Sequence, residues 1–344
     1  MEGRDEVKQN DRLILPSPPF RAGTEINAQP YSLVFNAGGI GDYIHWTPAL
    51  RWVISRNPHI HGHILSSPYF ADLARLWFAD LAPRFSVSEY HEDAVTDNEI
   101  VRRTNAVIPD GKQYYNACGY HLTDVGFAYF NQGSLDVPDS AKILPVIRGD
   151  EVSVSRFNLP EDYAVVTVLA TAENRRLPAE TINRLVEEIQ ERGLTPVFLG
   201  RDKLAPGYEA TPSDGIFTEG VLDLRNKTTL TEAAVILARA RFVIGLDNGL
   251  LHLACCSTVP VIFLFTNVDP RLRVPKRRAG ATTVIVTPSK ELTCRFCGTT
   301  MRYLTGHSFD TCLYGDNICT KSFDLPQLTE IMSKIIRGDY GNKN

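Results

Sequence analysis

The sequence lacks any long hydrophobic run. Its longest, VPVIFLF at residues 259–265, is far shorter than the roughly 20 residues that a membrane-spanning helix needs. The first ten residues, MEGRDEVKQN, are polar and contain no apolar segment of the kind that directs secretion. We therefore predict no membrane span and a cytoplasmic location.

The sequence also lacks an excess of charge of one sign. It has 36 Lys and Arg against 40 Asp and Glu, a net charge of −4 and a pI near 6.1. This balance argues against non-specific nucleic-acid binding by the whole chain. The run RLRVPKRRAG at residues 271–280 is a local exception. It is either a solvated loop or a basic lip that receives an anionic substrate.

The sequence also lacks the even number of cysteines that a framework of disulfide pairs would need. There are seven cysteines, and Cys255 and Cys256 are adjacent within an apparent helix. This usage favours a reducing compartment over a disulfide framework. No internal repeat or low-complexity tract is visible.

Length and local pattern indicate two domains. The 344 residues suit two domains of about 150 residues each. Residues 1–30, polar and proline-containing, are interpreted as an N-terminal arm. The remainder alternates strand-like and helix-like segments, which predicts an α/β protein with two βαβ domains at 31–150 and 155–324 and a cleft between them. The helical pattern at 325–338 predicts a C-terminal helix that packs back across the domains.

Two helices in the second half carry start and stop signals. Pro178 is suited to the first position of a helix that Gly193 closes. Thr229 and Glu232 have the spacing of a capping box, in which each side chain bonds the other residue's backbone N–H.

A glycine turn, VIGLDNGLLHLACC at residues 243–256, separates a strand from a helix. Backbone N–H groups at such a helix start suit a phosphate, and Gly249 would allow close approach. His252, about one turn into the helix, would face the same ligand. In the alternative interpretation, Asp247 is only a cap and His252 only packs. The pattern alone leaves both open.

A second glycine turn, NAGGIGD at residues 36–42, contains Gly39 and Gly41 and ends on Asp42. A carboxylate at the helix start disfavours a pyrophosphate there. A dinucleotide site also needs an acidic residue at the end of the next strand, about 20 residues on, to hold a ribose, and no convincing one follows this turn. The helix dipole keeps such a carboxylate ionised, so Asp42 could accept a proton from an acceptor hydroxyl. The alternatives are that Asp42 is only an N-cap and that His45, on the same helix face, packs rather than assists.

Four cysteines have metal-ligand spacing, Cys294-x2-Cys297-x14-Cys312-x6-Cys319. Two thiolates two residues apart and two later ones can complete a tetrahedron around one ion. Because four sulfurs leave no open position, such a site would be structural. Zinc is the default and iron the second choice for four sulfurs. The alternative is a small lobe, residues 291–320, with four reduced cysteines.

Three segments together resemble glycosyltransferase family 9, the ADP-heptose:lipopolysaccharide heptosyltransferases. They are GGIGDYIHWTPALR, TAENRRLPAE and KTTLTEAAVILARARFVIGLDNGLLHLACCSTVPVIFLFTNVDP, and the resemblance covers about residues 31–338. It implies a GT-B fold, in which two Rossmann-like domains face a cleft. The acceptor would lie on the domain at 31–150 and the donor nucleotide on that at 155–324. It also implies inverting transfer without a catalytic metal, with Asp42 as the general base.

The resemblance further implies a set of donor-binding residues: Arg175, Thr228, Asp247, Asn248, Gly249, Leu250 and His252. Backbone N–H groups of residues 248–250 would bind the diphosphate. Arg175 stands where the family has a phosphate-contacting lysine, a role that a guanidinium can keep with changed geometry. Thr228 falls in the nucleobase pocket. Gly39, Gly41 and His45 form the acceptor-side turn.

The cysteine segment is similar to a finger in the bacterial autotransporter heptosyltransferases. That subgroup carries a four-cysteine iron finger, glycosylates protein serines and can form large rings. The similarity makes iron as well supported as zinc, adds a protein to the candidate acceptors and suggests a homo-oligomer.

The sequence therefore predicts an inverting glycosyltransferase. It would move a sugar, with heptose favoured, from a nucleotide-diphospho-sugar, with an ADP-sugar favoured, to a hydroxyl on a glycan, protein or other polymer. Two alternatives remain open at this point. One is a nucleotide-sugar epimerase on the same fold. The other is a non-enzymatic metal-finger module that binds nucleic acid through residues 271–278.

Overall fold

The structure is a computed structural model with side chains. It describes residues 31–35, 39–58, 60–89, 105–107, 121–130, 137–169, 172–205, 208–209, 215–289, 291–300, 311–312 and 314–340. The predicted arm at 1–30 lies outside the described residues.

The first half forms a four-stranded parallel sheet in the order β3-β2-β1-β4. Its strands are β1 (Tyr31–Phe35), β2 (Gly62–Ser66), β3 (Phe85–Glu89) and β4 (Asn105–Val107). Leu33 of β1 lies opposite Ile64 of β2 on one side and Val107 of β4 on the other. The first strand thus lies inside the sheet, and later strands are added on both sides of it.

The second half forms a six-stranded parallel sheet in the order β12-β11-β10-β5-β6-β9. Its strands are β5 (Tyr163–Thr167), β6 (Thr195–Leu199), β9 (Leu222–Asp223), β10 (Val243–Leu246), β11 (Val261–Leu264) and β12 (Thr283–Val286). A short antiparallel pair, β7 (Lys203–Ala205) and β8 (Tyr208–Glu209), stands apart from it. Each half is therefore an α/β unit with its own parallel sheet, as predicted, while the exact domain boundaries stay predictions.

Helices connect the strands. They are α1 (Ile40–Arg56), α2 (Ala71–Trp77), α3 (Leu122–Phe130), α4 (Ala179–Glu191), α5 (Leu230–Arg239), α6 (Gly249–Ala254), α7 (Cys297–Thr300), α8 (Ile318–Lys321) and α9 (Leu325–Ile336). The capping box of Thr229 and Glu232 is confirmed at the start of α5. Pro178 is the residue just before α4, and Gly193 has a φ of +74° just after its end, a conformation that glycine adopts without strain.

The inner strands of the second sheet are buried on both faces. In β11, Val261 and Phe263 belong to one hydrophobic cluster, and Ile262 and Leu264 belong to another. Successive side chains of a strand point to opposite faces, so a continuous apolar run is what a strand covered on both sides requires. This explains why the strands of this half read as uninterrupted hydrophobic segments.

One of the two clusters spans both halves of the chain. It joins Ile44 and Leu50 of α1 to Leu237 of α5, Leu251 of α6 and Phe263 of β11. The two sheets are therefore held together by a shared core, through which α1 packs against helices of the second half.

The other cluster lies on the outer face of the second sheet. It contains Ile182 and Leu185 of α4 together with Leu328 and Met332 of α9. The helix predicted to pack back across both domains thus packs, through these buried residues, on the second sheet. Its N-cap is Asp324, whose side chain accepts from the backbone N–H of Gln327.

The strand orders identify where a ligand would bind. The order in which strands are added to the sheet reverses between β5 and β10 in the second sheet, and between β1 and β4 in the first. Open α/β sheets bind ligands outside the carboxyl ends of their strands at such reversal points. The loop after β10 and the start of α1 after β1 are therefore the expected binding elements.

Three of the five basic residues in the run at 271–278 have partners within the protein. Arg271 pairs with Asp269, and Lys276 pairs with Asp139. Arg277 is an internal brace that donates to the carbonyl oxygens of Cys255, Ser257, Val259 and Thr282 and to the Thr283 hydroxyl. A guanidinium can hold this many acceptors at once because its donors form a planar fork.

No helix in the described part of the chain is long and apolar enough to cross a bilayer.

We expect Arg277→Ala to lower the free energy of unfolding by about 2–3 kcal/mol, because several part-buried carbonyl oxygens lose a charged donor. Urea unfolding measures this change. The exposed neighbour Arg278 is the matched control, and Arg278→Ala should stay within about 0.5 kcal/mol of the parent. Equal effects of the two substitutions would contradict the bracing role.

Candidate active site between the two sheets

The two glycine turns of the sequence lie against each other. A Cβ atom at Gly249 would overlap Cγ2 of Ile40, and one at Gly41 would lie 3.0 Å from Cδ2 of His252. The close approach that Gly249 was predicted to offer to a phosphate is therefore made, in this structure, by Ile40. The first turn of α1 and the first turn of α6 are therefore in direct contact, and the residues of the candidate site lie around this contact.

Asp42 is the third residue of α1, not its cap. The helix begins at Ile40, its N-cap is Gly39, and no side chain caps it. The alternative that Asp42 serves only as an N-cap is therefore wrong. Asp42 is half-buried at a helix start, where the dipole favours a negative charge. A Cβ at Gly39 would lie 3.5 Å from its Oδ2, so the turn leaves room for the carboxylate.

Asn248 is the residue that caps α6. Its Oδ1 accepts from the N–H groups of Leu250 (3.0 Å) and Leu251 (3.2 Å), and its Nδ2 donates to Oγ1 of Thr167 (2.9 Å). The cap is thus Asn248 and not Asp247, contrary to the alternative interpretation. The Leu250 N–H, predicted to bind diphosphate, is used inside the loop by this cap.

Asp247 is a buried carboxylate that remains ionised. Burial by itself raises its pKa, but the hydrogen bond from His252 and the positive charges of Arg273 and Arg175 hold the pKa below its ordinary value. Arg175 ends a short 3-10 turn, residues 173–175, after β5. The fold therefore brings Arg175 within electrostatic reach of Asp247, as the donor-site prediction requires.

His45 and His252, from opposite halves of the chain, are hydrogen-bonded to each other. Nε2 of His45 lies 3.2 Å from Nδ1 of His252, and Nε2 of His252 lies 2.9 Å from Oδ1 of Asp247. Nδ1 of His45 lies 2.8 Å from Oγ1 of Thr123. Both ring nitrogens of each histidine are thus used within the protein. Burial, and then the proximity of His252 and His121, hold the pKa of His45 well below its ordinary value.

Thr123 and His121 are site residues that the sequence analysis missed. The ring of His121 lies edge-on to that of His45, with centroids 5.3 Å apart, and its Nε2 bonds the carbonyl of Val274 at 2.9 Å. Both residues sit at the start of α3, which packs closely along α1. A Cβ at Gly126 of α3 would lie 3.3 Å from Cα of Trp46. No local pattern signals this contact, because it depends on how two helices pack.

Thr228 is half-buried ahead of α5, and its carbonyl accepts from Arg201 at 3.3 Å. Its predicted place in a nucleobase pocket stays a prediction.

The four predicted metal ligands lie near one another without forming a metal site. Burial, and then the other cysteines, raise the pKa of Cys319 to about 12. Burial, with Cys294 and Cys312, raises the pKa of Cys297. Among the described residues, however, no group of three or more His, Cys, Asp or Glu is arranged to hold a metal ion. The predicted finger is therefore not seen as a formed site.

A comparison with protein families decides what kind of protein this is. The sequence model of glycosyltransferase family 9 (heptosyltransferase) matches residues 116–296. This is more than half of the chain. The chain belongs to glycosyltransferase family 9.

A curated member of this kind is similar over part of its length. Lipopolysaccharide heptosyltransferase 1 of Escherichia coli K12 is 29% identical over 136 residues, which is 37% of this chain and 41% of that protein. The match thus spans less than half of the curated relative.

Solved structures of family 9 glycosyltransferases share the fold. A family 9 glycosyltransferase from Veillonella parvula gives a TM-score of 0.61 at 14% identity, covering 92% of this chain and 99% of that one. TibC from enterotoxigenic E. coli, described as an iron-containing dodecameric glycosyltransferase, gives 0.64 at 17% identity, covering 92% and 78%. TibC in complex with ADP-D-β-D-heptose gives 0.65 at 16% identity, with the same coverage. The α/β GT-B-like fold is confirmed.

Family 9 membership does not support the two alternative functions. The structure argues separately against nucleic-acid binding through residues 271–278, because Arg271, Lys276 and Arg277 are engaged within the protein. An epimerase would need acid and base groups that converge on the sugar from both halves, for which Asp42 and His252 are the candidates. Both nitrogens of His252 are already hydrogen-bonded, which leaves it poorly placed for proton transfer to a sugar.

We expect the protein to lose stability as the pH falls below about 6.5, the ordinary histidine pKa. Because the pKa of buried His45 is lowered, the unfolded chain takes up a proton that the native state does not. The contribution of neutral His45 to the free energy of unfolding is thus complete above the pKa that this histidine has in the unfolded chain. It is lost as the pH falls towards the lower pKa of His45 in the native protein. For one such histidine the slope approaches about 1.4 kcal/mol per pH unit.

Urea unfolding between pH 8 and 5 measures this dependence. His45→Gln should reduce the acid slope, whereas the exposed His61 changed to Gln should keep it. An acid slope that His45→Gln leaves intact would contradict the assignment.

Proposed function

We propose that this family 9 protein is an inverting glycosyltransferase that moves heptose from ADP-heptose to an acceptor hydroxyl without a catalytic metal. The observation that carries the proposal is the contact between the two glycine turns. It brings Asp42 of the first half next to the loop of Asp247 and Asn248 in the second half. A proton acceptor and a donor-binding loop are thereby assembled from the two facing sheets.

The proposed reaction is a single displacement. The acceptor oxygen attacks the anomeric carbon on the face opposite the diphosphate, the bond from that carbon to the diphosphate oxygen breaks, and Asp42 takes the hydroxyl proton. General-base help of this kind contributes about 10²- to 10⁴-fold. ADP leaves with the bonding electrons, and its growing negative charge is met by Arg175.

The donor loop provides the other contacts in this proposal. The backbone N–H groups of Asn248 and Gly249 face the diphosphate, and Leu250 joins them when the Asn248 cap is displaced. Thr228 lines the nucleobase pocket. His252 acts on the donor through Asp247, because its own nitrogens are occupied. Gly39 leaves space for the acceptor beside Asp42, and Gly41 lets the His252 ring pack against this acceptor-side turn.

ADP-heptose is favoured as the donor by the relatives. One curated relative is a lipopolysaccharide heptosyltransferase, and a solved structure with the same fold contains ADP-D-β-D-heptose. The proposed acceptor is a hydroxyl on a glycan, protein or other polymer. We also propose the domain division at 31–150 and 155–324, a cytoplasmic location and a homo-oligomer, the last supported by the dodecameric TibC.

We propose that Cys294, Cys297, Cys312 and Cys319 bind one structural iron or zinc ion. Cys297 and Cys319 lie close enough to the other cysteines for these to raise their pKa, and soft sulfur ligands suit both metals. Iron is supported by the iron-containing TibC. When bound, the ion would supply rigidity rather than chemistry, since four thiolates leave no open coordination position.

The cysteine segment is bonded to the loops of the donor side. Nδ2 of Asn174 donates to the carbonyl of Thr311 at 3.2 Å, and the backbone N–H of Asp269 donates to Oγ1 of Thr299 at 2.9 Å. Asn174 immediately precedes Arg175. Ordering of the cysteine segment by a metal would therefore stabilise the turn that presents Arg175.

We expect Asp42→Asn to lower kcat about 100- to 10,000-fold, the range of general-base catalysis, while ADP binding is retained. Arg175→Ala should instead weaken ADP binding about 10- to 100-fold, the effect of losing a charged hydrogen bond. Transfer from ADP-heptose and calorimetry with ADP, UDP and GDP measure the two effects.

Two surface substitutions are matched controls for these variants. Asp72 is a carboxylate in the first turn of α2, paired with Arg75, and Arg184 is an exposed arginine of α4. Asp72→Asn and Arg184→Ala should leave transfer and ADP binding unchanged. Absence of ADP binding in the folded parent protein would overturn the transferase proposal. Selective binding of UDP or GDP would overturn ADP-heptose as its donor.

We expect the purified protein to contain about one iron or zinc ion per chain, as a four-cysteine site binds one ion. Cys297→Ser should lower the metal content and weaken ADP binding, because the turn of Arg175 loses support. Cys255→Ser, at a buried thiol outside the segment, should keep the metal. Elemental analysis measures the amount of iron and zinc per chain, and a metal-free parent protein would contradict the proposed site.

A further inference from the structure

Four buried side chains form a continuous hydrogen-bonded row across the two halves of the protein. They run from Thr123 to His45, from His45 to His252 and from His252 to Asp247, over 2.8, 3.2 and 2.9 Å. At most 6% of any of the four residues is exposed. Buried polar groups in such a row must match donor to acceptor at every link, because a mismatch is costly away from water.

The donor and the acceptor of each hydrogen bond in the row can be assigned by starting from the Asp247 carboxylate. Asp247 is ionised and can only accept, so Nε2 of His252 carries the proton between them. In a neutral His252 the other nitrogen, Nδ1, then accepts from Nε2–H of His45. His45 in turn keeps a bare Nδ1, which accepts the hydroxyl proton of Thr123. Each link has one proton and one lone pair.

The surroundings favour this neutral arrangement over a cationic His252. The titratable and charged groups that face the row are His121, Arg175 and Arg273, with Asp124 behind His121. Arg175 and Arg273 already act on the Asp247 carboxylate. A cationic His252 would add a third positive charge around the Asp247 carboxylate, and buried charge in excess of its counter-charge is unfavourable.

The centre of the row touches both parts of the proposed site. The His252 ring lies against Gly41, where a Cβ would come within 3.0 Å of Cδ2, and Gly41 directly precedes Asp42. At its other end, the ring holds Asp247 beside the capped loop of Asn248. A change in the orientation of His252 would therefore move both the turn of the proposed base and the donor loop.

We propose that Thr123 and His45 are positioning residues, which hold His252 as the neutral tautomer protonated at Nε2 and thereby fix Asp247 and the Gly41–Asp42 turn relative to each other. The consequence for sugar transfer rests on the proposed function. The tautomer assignment rests on the geometry of the row and on the charges around it, and it does not depend on the proposed function.

The tautomers can be measured directly in the full-length protein. With nitrogen-15 in the histidine rings, NMR distinguishes protonated from bare nitrogens, and His45→Gln and His252→Gln assign the signals. We expect both residues to carry a proton on Nε2 and none on Nδ1 at neutral pH. A doubly protonated His252, or a His45 protonated at Nδ1, would overturn the proposal.

Thr123→Val keeps the shape of the side chain and removes the hydroxyl. His45 Nδ1 then loses the donor that stabilises its neutral form, so protonation of the pair becomes easier. We expect kcat to fall about tenfold, which corresponds to about 1.4 kcal/mol, with the KM for the donor sugar little changed. The acid limb of the kcat–pH profile should move to higher pH.

Thr123→Ser restores the hydroxyl and should recover kcat and the parental pH profile. Thr181→Val, at a buried threonine of α4, controls for the loss of a buried hydroxyl elsewhere and should leave the profile unmoved. If Thr123→Val lowers only the thermal stability, the positioning role is contradicted. A parent protein that transfers no sugar would contradict the proposed function, while the NMR result would still decide the tautomers.

Discussion

The contact between the first turn of α1 and the first turn of α6 is the constraint on which the rest of this site depends. Ile40 occupies the space above Gly249, and the ring of His252 occupies the space above Gly41. A side chain at either glycine would force the two halves apart, so each glycine is required by the opposite half of the protein. Because α1 follows β1 and α6 follows β10, this contact joins the carboxyl edges of the two sheets, and open parallel sheets bind their ligands at those edges.

Charge is distributed around this contact in a consistent way. Asp42 lies at a helix start, where the dipole favours its ionised form. Asp247 is ionised despite burial, because His252 donates to it and two arginines lie near. His45, in contrast, has a lowered pKa, which prevents a surplus of buried positive charge. The basic run of the sequence contributes Arg273 to this balance. Its Arg277 instead braces the loops that follow α6.

Family membership and geometry support each other at different levels. The family model covers 116–296 and so includes the donor loop, Arg175 and Thr123, but not Asp42 or His45. The relation of Asp42 to the donor loop therefore comes from the fold rather than from the family match. The cysteine segment shows the reverse case, since its spacing is typical of a metal site but the described residues there are not arranged around an ion. Its bonds to the loops of Asn174 and Asp269 give it a structural connection to the donor side.

Local sequence determined the parts of this protein that depend on near neighbours in the chain. The apolar runs of β5, β10 and β11, the capping box of α5 and the two glycine turns could all be read directly, because strand burial, helix capping and tight turns are short-range properties. Only the tertiary structure decided what each turn contacts. The pairing of His45 with His252 joins residues 207 positions apart, and Thr123 reaches it only because Gly126 lets α3 pack closely on α1. Such contacts depend on how the two halves dock, and no local pattern of hydrophobicity or turn residues encodes that docking.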